Sequence, residues 1–331
     1  MFNFHNNHRN LVRTSLVVFL MLSFLIAIVP AYQMQENVRP LPNQKDLTVQ
    51  ERAGLNVYVQ ENCVACHTQQ VRNIAMDETW GDRPSMPSDY FYSKERLSFW
   101  QQSPSLLGSE RTGPDLTNVG RRQPGLDWHL IHLYNPRIVE KNSVMPSYKW
   151  LFEEKSNPTK KDVVVSIPKQ YLSDTSKKVV ATKRALELAS YLMSLKQTDL
   201  PTAPTFLPSS KLKVTKGTSE KAGLPDGAKL YATTCQACHQ ADGKGLPGAF
   251  PPLAGSPIVN NENYDDYVKI ILQGYDARAE YGVMPSFAEQ LSDEEIAAIM
   301  NHERSSWGNK AKPVKVEDIA RVRKLVESLN P

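Results

Sequence analysis

Cys63-Val64-Ala65-Cys66-His67 and Cys235-Gln236-Ala237-Cys238-His239 are the two stretches whose reading decides the fold of this chain. Two thiols separated by two residues on the first turn of a helix both reach vinyl groups along one haem edge. The histidine that follows is carried beneath the iron, so each stretch predicts covalent attachment of a c-type haem. Cys63, Cys66, Cys235 and Cys238 are the expected thioether donors, and His67 and His239 the expected proximal iron ligands. A structural zinc site would need four ligands per stretch, and a thioredoxin-like redox pair would not need the histidine, so both alternatives fit poorly. The chain has four cysteines in all. None is left for a disulfide framework, which fits an exported protein whose thiols are committed to a cofactor.

Outward from these motifs the chain repeats itself. Gly54 to Tyr58 (GLNVY) precedes the first motif and Gly227 to Tyr231 (GAKLY) the second. Downstream, Gly113-Pro114-Asp115-Leu116 has its counterpart in Phe250-Pro251-Pro252-Leu253, and Met145-Pro146-Ser147-Tyr148 in Met284-Pro285-Ser286-Phe287. The interval from Pro114 to Met145 nearly equals that from Pro251 to Met284, whereas His67 to Pro114 is much longer than His239 to Pro251. Met145 and Met284 are therefore the expected distal iron ligands. A soft thioether raises the haem potential relative to a second histidine, which suits electron transfer. Met86-Pro87-Ser88 looks similar but lies before Pro114 and has no counterpart. Met193 and Met300 sit on helical faces as core filler. Pro114 and Pro251 are expected to turn the chain so that a backbone carbonyl accepts the proximal histidine N–H, which orients the imidazole. His129 and His132 lie three apart beside Trp128 and are read as structural or partner-facing, His302 as a helix surface residue, and His5 and His8 as unconnected with the haems.

A length of 331 residues exceeds what one hydrophobic core usually organises. From Thr14 to Gln35 no residue is charged, while Arg9 and Arg13 stand just before. This predicts a cytoplasmic N-terminus over 1–13 and a retained single-pass anchor over 14–35, with all that follows on the outer, periplasmic face of a bacterial cytoplasmic membrane. No convincing A-x-A-like cleavage site follows Val29. The expected first haem domain spans 46–197, a proline-bearing linker 198–225, and the second haem domain 226–331. Ala181, Ala185, Leu188, Leu192 and Leu195 predict a helix closing the first domain. Ser292 to Glu295 reads as a capping box opening a helix in the second. Residues 153–178 form a lysine-rich insertion, a short hairpin around Val163, Val164 and Val165, and Ile319 to Leu329 a terminal helix packed on the second domain. Residues 46–197 carry about +3 and 226–310 about −6, so a nucleic-acid partner is excluded for the whole chain, and the acidic second domain suits a basic partner.

Motifs outside the haem attachment carry a resemblance. Cys63 to Arg72 (CVACHTQQVR), Arg111 to Leu116 (RTGPDL), Val119-Gly120-Arg121, Trp128-His129, His132-Leu133, Asn135-Pro136-Arg137 and Ser143 to Leu151 (SVMPSYKWL) resemble, in the same order, the mono-haem subunit of the cbb-type, C-family haem-copper cytochrome c oxidases. The likeness runs from the anchor to about residue 152. The second module resembles class I cytochrome c domains in general. The resemblance implies a mainly α chain, an N-terminal transmembrane helix followed by two class I cytochrome c-like helical domains, holding two covalent haem c groups. It further implies docking on a polytopic haem-copper catalytic subunit, with His67 and Met145 as the first iron's ligands. Electrons would come from a soluble or membrane donor, a cytochrome or a quinol-oxidising complex. They would pass through the acidic second module to the first haem and leave by the Arg111 to Arg137 region. The family's mono-haem subunit ends near its own final helix, whereas this chain continues into another haem module, which suggests a fusion. A tethered shuttle, or the cytochrome subunit of a nitric oxide reductase or dehydrogenase, remains as an alternative. A dihaem peroxidase fits less well, because both modules offer a methionine and leave no open iron position. With every cysteine committed to haem, and without polytopic histidine-bearing helices, the chain is read as an electron-transfer subunit that is not itself catalytic.

Overall fold

The computed structural model describes residues 6–37, 41–90, 106–200, 224–278 and 280–329. His5 and most of the linker expected at 198–225 lie outside the described residues. The chain opens as one long helical rod: α1 (His8–Ser23), a wider π turn at Phe24–Ile28, and α2 (Val29–Asn37). Within it, His8–Gln33 is 26 residues long with mean hydropathy 2.4 and no cover from the rest of the protein. At about 1.5 Å per residue this exceeds the ~30 Å of a bilayer's hydrocarbon core. The rod is a candidate membrane anchor.

The first half continues with α3 (Val49–Gln60), α4 (Val119–Arg122), α5 (Leu126–Tyr134) and α6 (Lys183–Ser194). The second half holds α7 (Gly227–Thr234), α8 (Gln236–His239), α9 (Asp265–Gln273), α10 (Asp293–Ser305) and α11 (Val316–Leu329). Local chemistry sets several of these boundaries. Thr48 with Glu51 and Ser292 with Glu295 form capping boxes at the starts of α3 and α10, each satisfying backbone N–H groups that a helix start leaves unpaired. Asp226 accepts the Ala228 and Lys229 N–H groups at the start of α7.

The repeated Gly and Tyr of the sequence acquire a physical meaning here. A Cβ at Gly54 would overlap the Glu187 carbonyl of α6, and one at Gly227 the Ala298 carbonyl of α10. In each half, then, a glycine lets the helix before the haem motif cross the closing helix at backbone contact. Tyr58 and Tyr231 are buried at these crossings, Tyr58 edge-on to Tyr191 and Tyr231 against Trp307 and His302. His302 is thus half-buried in an aromatic cluster rather than a free surface residue. Tyr231 comes from a distant helix, and Trp307 from the turn just after α10.

Two further expectations are corrected. The insertion is a three-stranded antiparallel sheet, not a hairpin. β1 (Phe152–Lys155) pairs with β3 (Lys178–Ala181), and β3 with β2 (Val164–Val165), in the order β1-β3-β2. Ala181 consequently lies opposite Phe152 at the end of β3, and the helix begins only at Lys183, with Thr182 as its cap. The terminal helix does pack on the second half: Ile319 and Val322 of α11 join a core with Val268, Ile271 and Met300.

The other core is built on Leu55, Tyr58, Leu130, Leu188 and their neighbours in the first half, yet it also takes in Ala249 and Phe250 of the second, with Leu246 and Cys238 packed against it. The two halves therefore meet through the short loop that follows the second haem motif.

Candidate haem centres

Each candidate centre starts at a helical turn. Cys63–Ala65 form a 3-10 turn after α3, with Asn62 in the left-handed region, and the Cys66 and His67 N–H groups both return to the Cys63 carbonyl. In the second half Cys235 leads into α8, and the His239 N–H again donates to the Cys235 carbonyl. The turn carries both thiols and the histidine on one short piece of backbone.

His67 Nδ1 lies 2.8 Å from the Pro114 carbonyl oxygen and His239 Nδ1 3.0 Å from that of Pro251. A carbonyl accepts only, so Nδ1 carries the proton and Nε2 is left as the free lone pair. Burial lowers the pKa of both histidines, which keeps them neutral, as an iron ligand must be. Gly113 sits directly under the His67 ring, where a Cβ would collide with it.

Burial also pushes the Cys63 and Cys238 thiols up to about 12. Such pockets penalise the thiolate that zinc binding or nucleophilic chemistry requires, whereas an uncharged thioether is at home in them. All four cysteines are unpaired with one another. Among the described residues no cluster of three or more His, Cys, Asp or Glu could hold a bare metal ion.

In the second half Cys235, Cys238, His239, Pro251 and Met284 line one cavity of about 330 Å³, inside the ~300–1,000 Å³ range of ligand pockets. Its other walls include Leu253, Ile271, Phe287, Ile296 and Ile299. Met284 is fixed by a two-way backbone pairing with Tyr275, N···O 2.9 and 3.0 Å. An apolar cavity with two thiols and one histidine on one side and a thioether among its walls fits a haem. In the first half Met145 and Cys63 pack on the same core. Met86 instead belongs to a separate loop, its N–H donating to Asp89, which is paired with the buried Arg83.

Sequence reasoning singled out Arg111 only as part of a resemblance, and Asp115 as part of that resemblance and of the internal repeat. The structure gives them work. Asp115, wholly buried, accepts from Thr68 Oγ1, Gln70 N and Thr117 N. Arg111 donates to Thr68 Oγ1 and to Asp77, which also receives Arg72. Burial would raise the Asp77 pKa, but hydrogen bonds from Arg111 and Arg72 outweigh it and hold the carboxyl well below the usual range. This network ties the segment after His67 to the segment around Pro114, and so fixes the carbonyl that orients the histidine. The signal was present in the sequence as charges of opposite sign flanking the two motifs.

His129 Nε2 donates to the Gln123 carbonyl at 2.8 Å and the ring is buried; burial holds its pKa at about 4. It is a neutral packing residue. His132 lies on the same helix, its ring stacked on that of Trp128 with centroids 4.7 Å apart.

A mainly helical chain with a candidate membrane anchor and haem-attachment motifs set in such surroundings is a membrane-anchored cytochrome c that serves as an electron-transfer subunit and holds covalently bound haem c. More particularly, the chain belongs to the family described as cytochrome C oxidase, mono-heme subunit/FixO, which matches residues 3–202. Residues 222–302 match a second family, cytochrome C oxidase, cbb3-type, subunit III. Among individual proteins the chain is similar to cytochrome c-552 of Thermus thermophilus, 44% identical over 112 residues that make up 30% of this chain and 84% of that protein. It is also similar to the cytochrome c subunit of alcohol dehydrogenase (quinone) from Gluconacetobacter polyoxogenes, 35% identical over 147 residues, 41% of this chain and 30% of that one. The fructose dehydrogenase cytochrome subunit of Gluconobacter japonicus is 36% identical over 106 residues, 30% and 22% of the respective lengths.

Proposed function

We propose that this chain holds two haems c and relays single electrons from an external donor, by way of its second site and then its first, to the polytopic haem-copper subunit of a cbb-type oxidase. Bound at each site, haem supplies a one-electron iron couple. Cys63 and Cys66 would hold the first and Cys235 and Cys238 the second, with His67 and Met145, and His239 and Met284, as the residues that would ligate the iron. The Pro114 and Pro251 carbonyls hold each imidazole with Nε2 forward. In this reading residues 46–197 and 226–331 are the two haem domains, joined by 198–225 and tethered by 14–35, with the N-terminus in the cytoplasm and both domains on the periplasmic face.

The observation that carries the reading is the doubled hydrogen bond from proximal histidine to proline carbonyl, 2.8 and 3.0 Å, in a chain whose two halves match two different subunits of one oxidase type. Mild-detergent purification of the native protein, with mass spectrometry of co-eluting subunits and a reduced-minus-oxidised spectrum, tests it. The expected result is two c-type haems per chain beside a polytopic subunit showing b-type bands. Recovery of the chain with a dehydrogenase instead would replace the partner. That second reading draws on the likeness to the cytochrome subunits of alcohol and fructose dehydrogenases.

A further inference from the structure

The loops that carry the two methionines are supported in different ways. Ser143-Val144-Met145-Pro146-Ser147 in the first half corresponds to Gly282-Val283-Met284-Pro285-Ser286 in the second. In the first half the support is local: Ser143 Oγ accepts the Met145 N–H at 3.3 Å, while Val144 is 73% exposed. In the second half Gly282 stands in the place of that serine and has no side chain to offer. The acceptor comes instead from the other half of the chain, where the Asp127 carboxylate takes the Val283 N–H at 2.7 Å.

Gly282 and Asp127 fit each other. A Cβ on Gly282 would lie 2.9 Å from Asp127 Oδ2 and 3.1 Å from Asp127 Cβ, so a serine here would displace the carboxylate. Gly282 is not among the residues in the left-handed region, so close approach, rather than backbone freedom, calls for glycine at this position. The Gly282 N–H donates to the Ala249 carbonyl at 2.8 Å, and Ala249 belongs to the core shared with the first half. Gly125, just before α5, faces the ring of Pro285. The carboxylate itself is firmly mounted, because Asp127 lies in the first turn of α5, and Leu130, Ile131, Leu133 and Tyr134 of that helix are buried in the first core. An ionised acceptor makes a stronger hydrogen bond than a neutral one.

We propose that Asp127 is a positioning residue for the second haem site: reaching across from the first half, it holds the loop that presents Met284 to the cavity and so sets how firmly the thioether stays on the iron. The inference rests on the two-haem reading above, with Met284 as the distal ligand. Asp127 touches neither haem nor iron. It acts through the backbone of Val283, and the second site is complete only with the first half docked against it.

The test uses the full-length protein in detergent with haem attached, in a Met145→Leu background, so that the sulfur-to-iron absorption band of the ferric protein reports the second site alone. Asp127→Ala removes the acceptor. Asp127→Asn removes the charge but keeps a carbonyl oxygen able to accept the Val283 N–H, and Leu246→Ala thins the contact between the halves at another point. Imidazole competes with the thioether, so the concentration that halves the band measures how firmly Met284 is held. The expected result is a halving concentration about tenfold lower in Asp127→Ala, equivalent to ~1.4 kcal/mol, and little changed in Asp127→Asn and Leu246→Ala, with haem per chain unaltered. The potential of the second site should also be lower in Asp127→Ala than in Asp127→Asn. Neither variant carries the charge, so electrostatics alone gives no such difference. Equal behaviour of the two Asp127 variants overturns the inference. So does an effect of Leu246→Ala as large as that of Asp127→Ala, because the interface as a whole would then hold the loop. One haem per chain, or two haems with no sulfur-to-iron band in the Met145→Leu protein, would instead remove the underlying reading before Asp127 is altered, and the inference with it.

Discussion

At the level of single residues, the role proposed for His67 and His239 as iron ligands depends on what their Nδ1 atoms touch. The Cys-x-x-Cys-His motifs stood out because c-type attachment fixes their spacing within a few residues, and Pro114 and Pro251 because they recur in both halves, where their carbonyls face the histidines. The distal ligand gives a sharp test. Met145→Leu is expected to lower the potential of the first site alone by on the order of 100 mV, and Met284→Leu that of the second, because each removes the thioether that favours ferrous iron. Met86→Leu should move neither. Spectroelectrochemical titration separates the three, and a shift on changing Met86 would reverse the assignment. The support behind His67 was less legible, since Asp77, Arg111 and Asp115 meet only after the chain has folded back on itself. Asp115→Ala leaves two backbone N–H groups and the Thr68 hydroxyl without their acceptor. A loss of about 3–5 kcal/mol, the range for breaking a buried charged network, should be seen in denaturant unfolding followed by the haem spectrum.

Among the elements, helices with strong local signals were read correctly and those that depend on distant partners were not. The Ser292–Glu295 box and the apolar periodicity of α11 are local, and both stand where the sequence puts them. The small sheet could not be read in the same way: β1 and β3 are joined by a long excursion, and β2 adds to the far edge of β3. Pairing between segments so far apart leaves no short-range pattern beyond the β-branched run of Val163 to Val165. Ala181 fell on the wrong side of a boundary for that reason. The helix crossings offer a test that spans both halves. Gly54→Ala and Gly227→Ala each push a methyl into a facing carbonyl, so each should destabilise by about 1–3 kcal/mol or more through overpacking. Thermal unfolding measures this, and a neutral result at either position would mean that the crossing helices separate readily there.

Across the whole molecule, the two halves are tuned in opposite directions by pH. In the first, buried His129, at about 4, is neutral in the fold and gains a proton on unfolding below its ordinary value of 6.5. Its contribution to stability is present above about pH 6.5 and is lost as pH falls toward 4. In the second, Glu303 is buried on the wall of the cavity, and burial raises its pKa from 4.5 to about 8. The folded form keeps a proton that the unfolded chain releases above 4.5, so stability is fullest below 4.5 and declines until pH 8. Glu303→Gln removes the titration while keeping shape and neutrality. The stability advantage of the variant over the unaltered protein should therefore grow by about 1.4 kcal/mol per pH unit across that window and level off beyond it. Denaturant unfolding in a pH series reads the difference directly. A flat difference would mean that Glu303 is ionised in the fold, which would put a fixed negative charge on the wall of the cavity that Cys235 also lines.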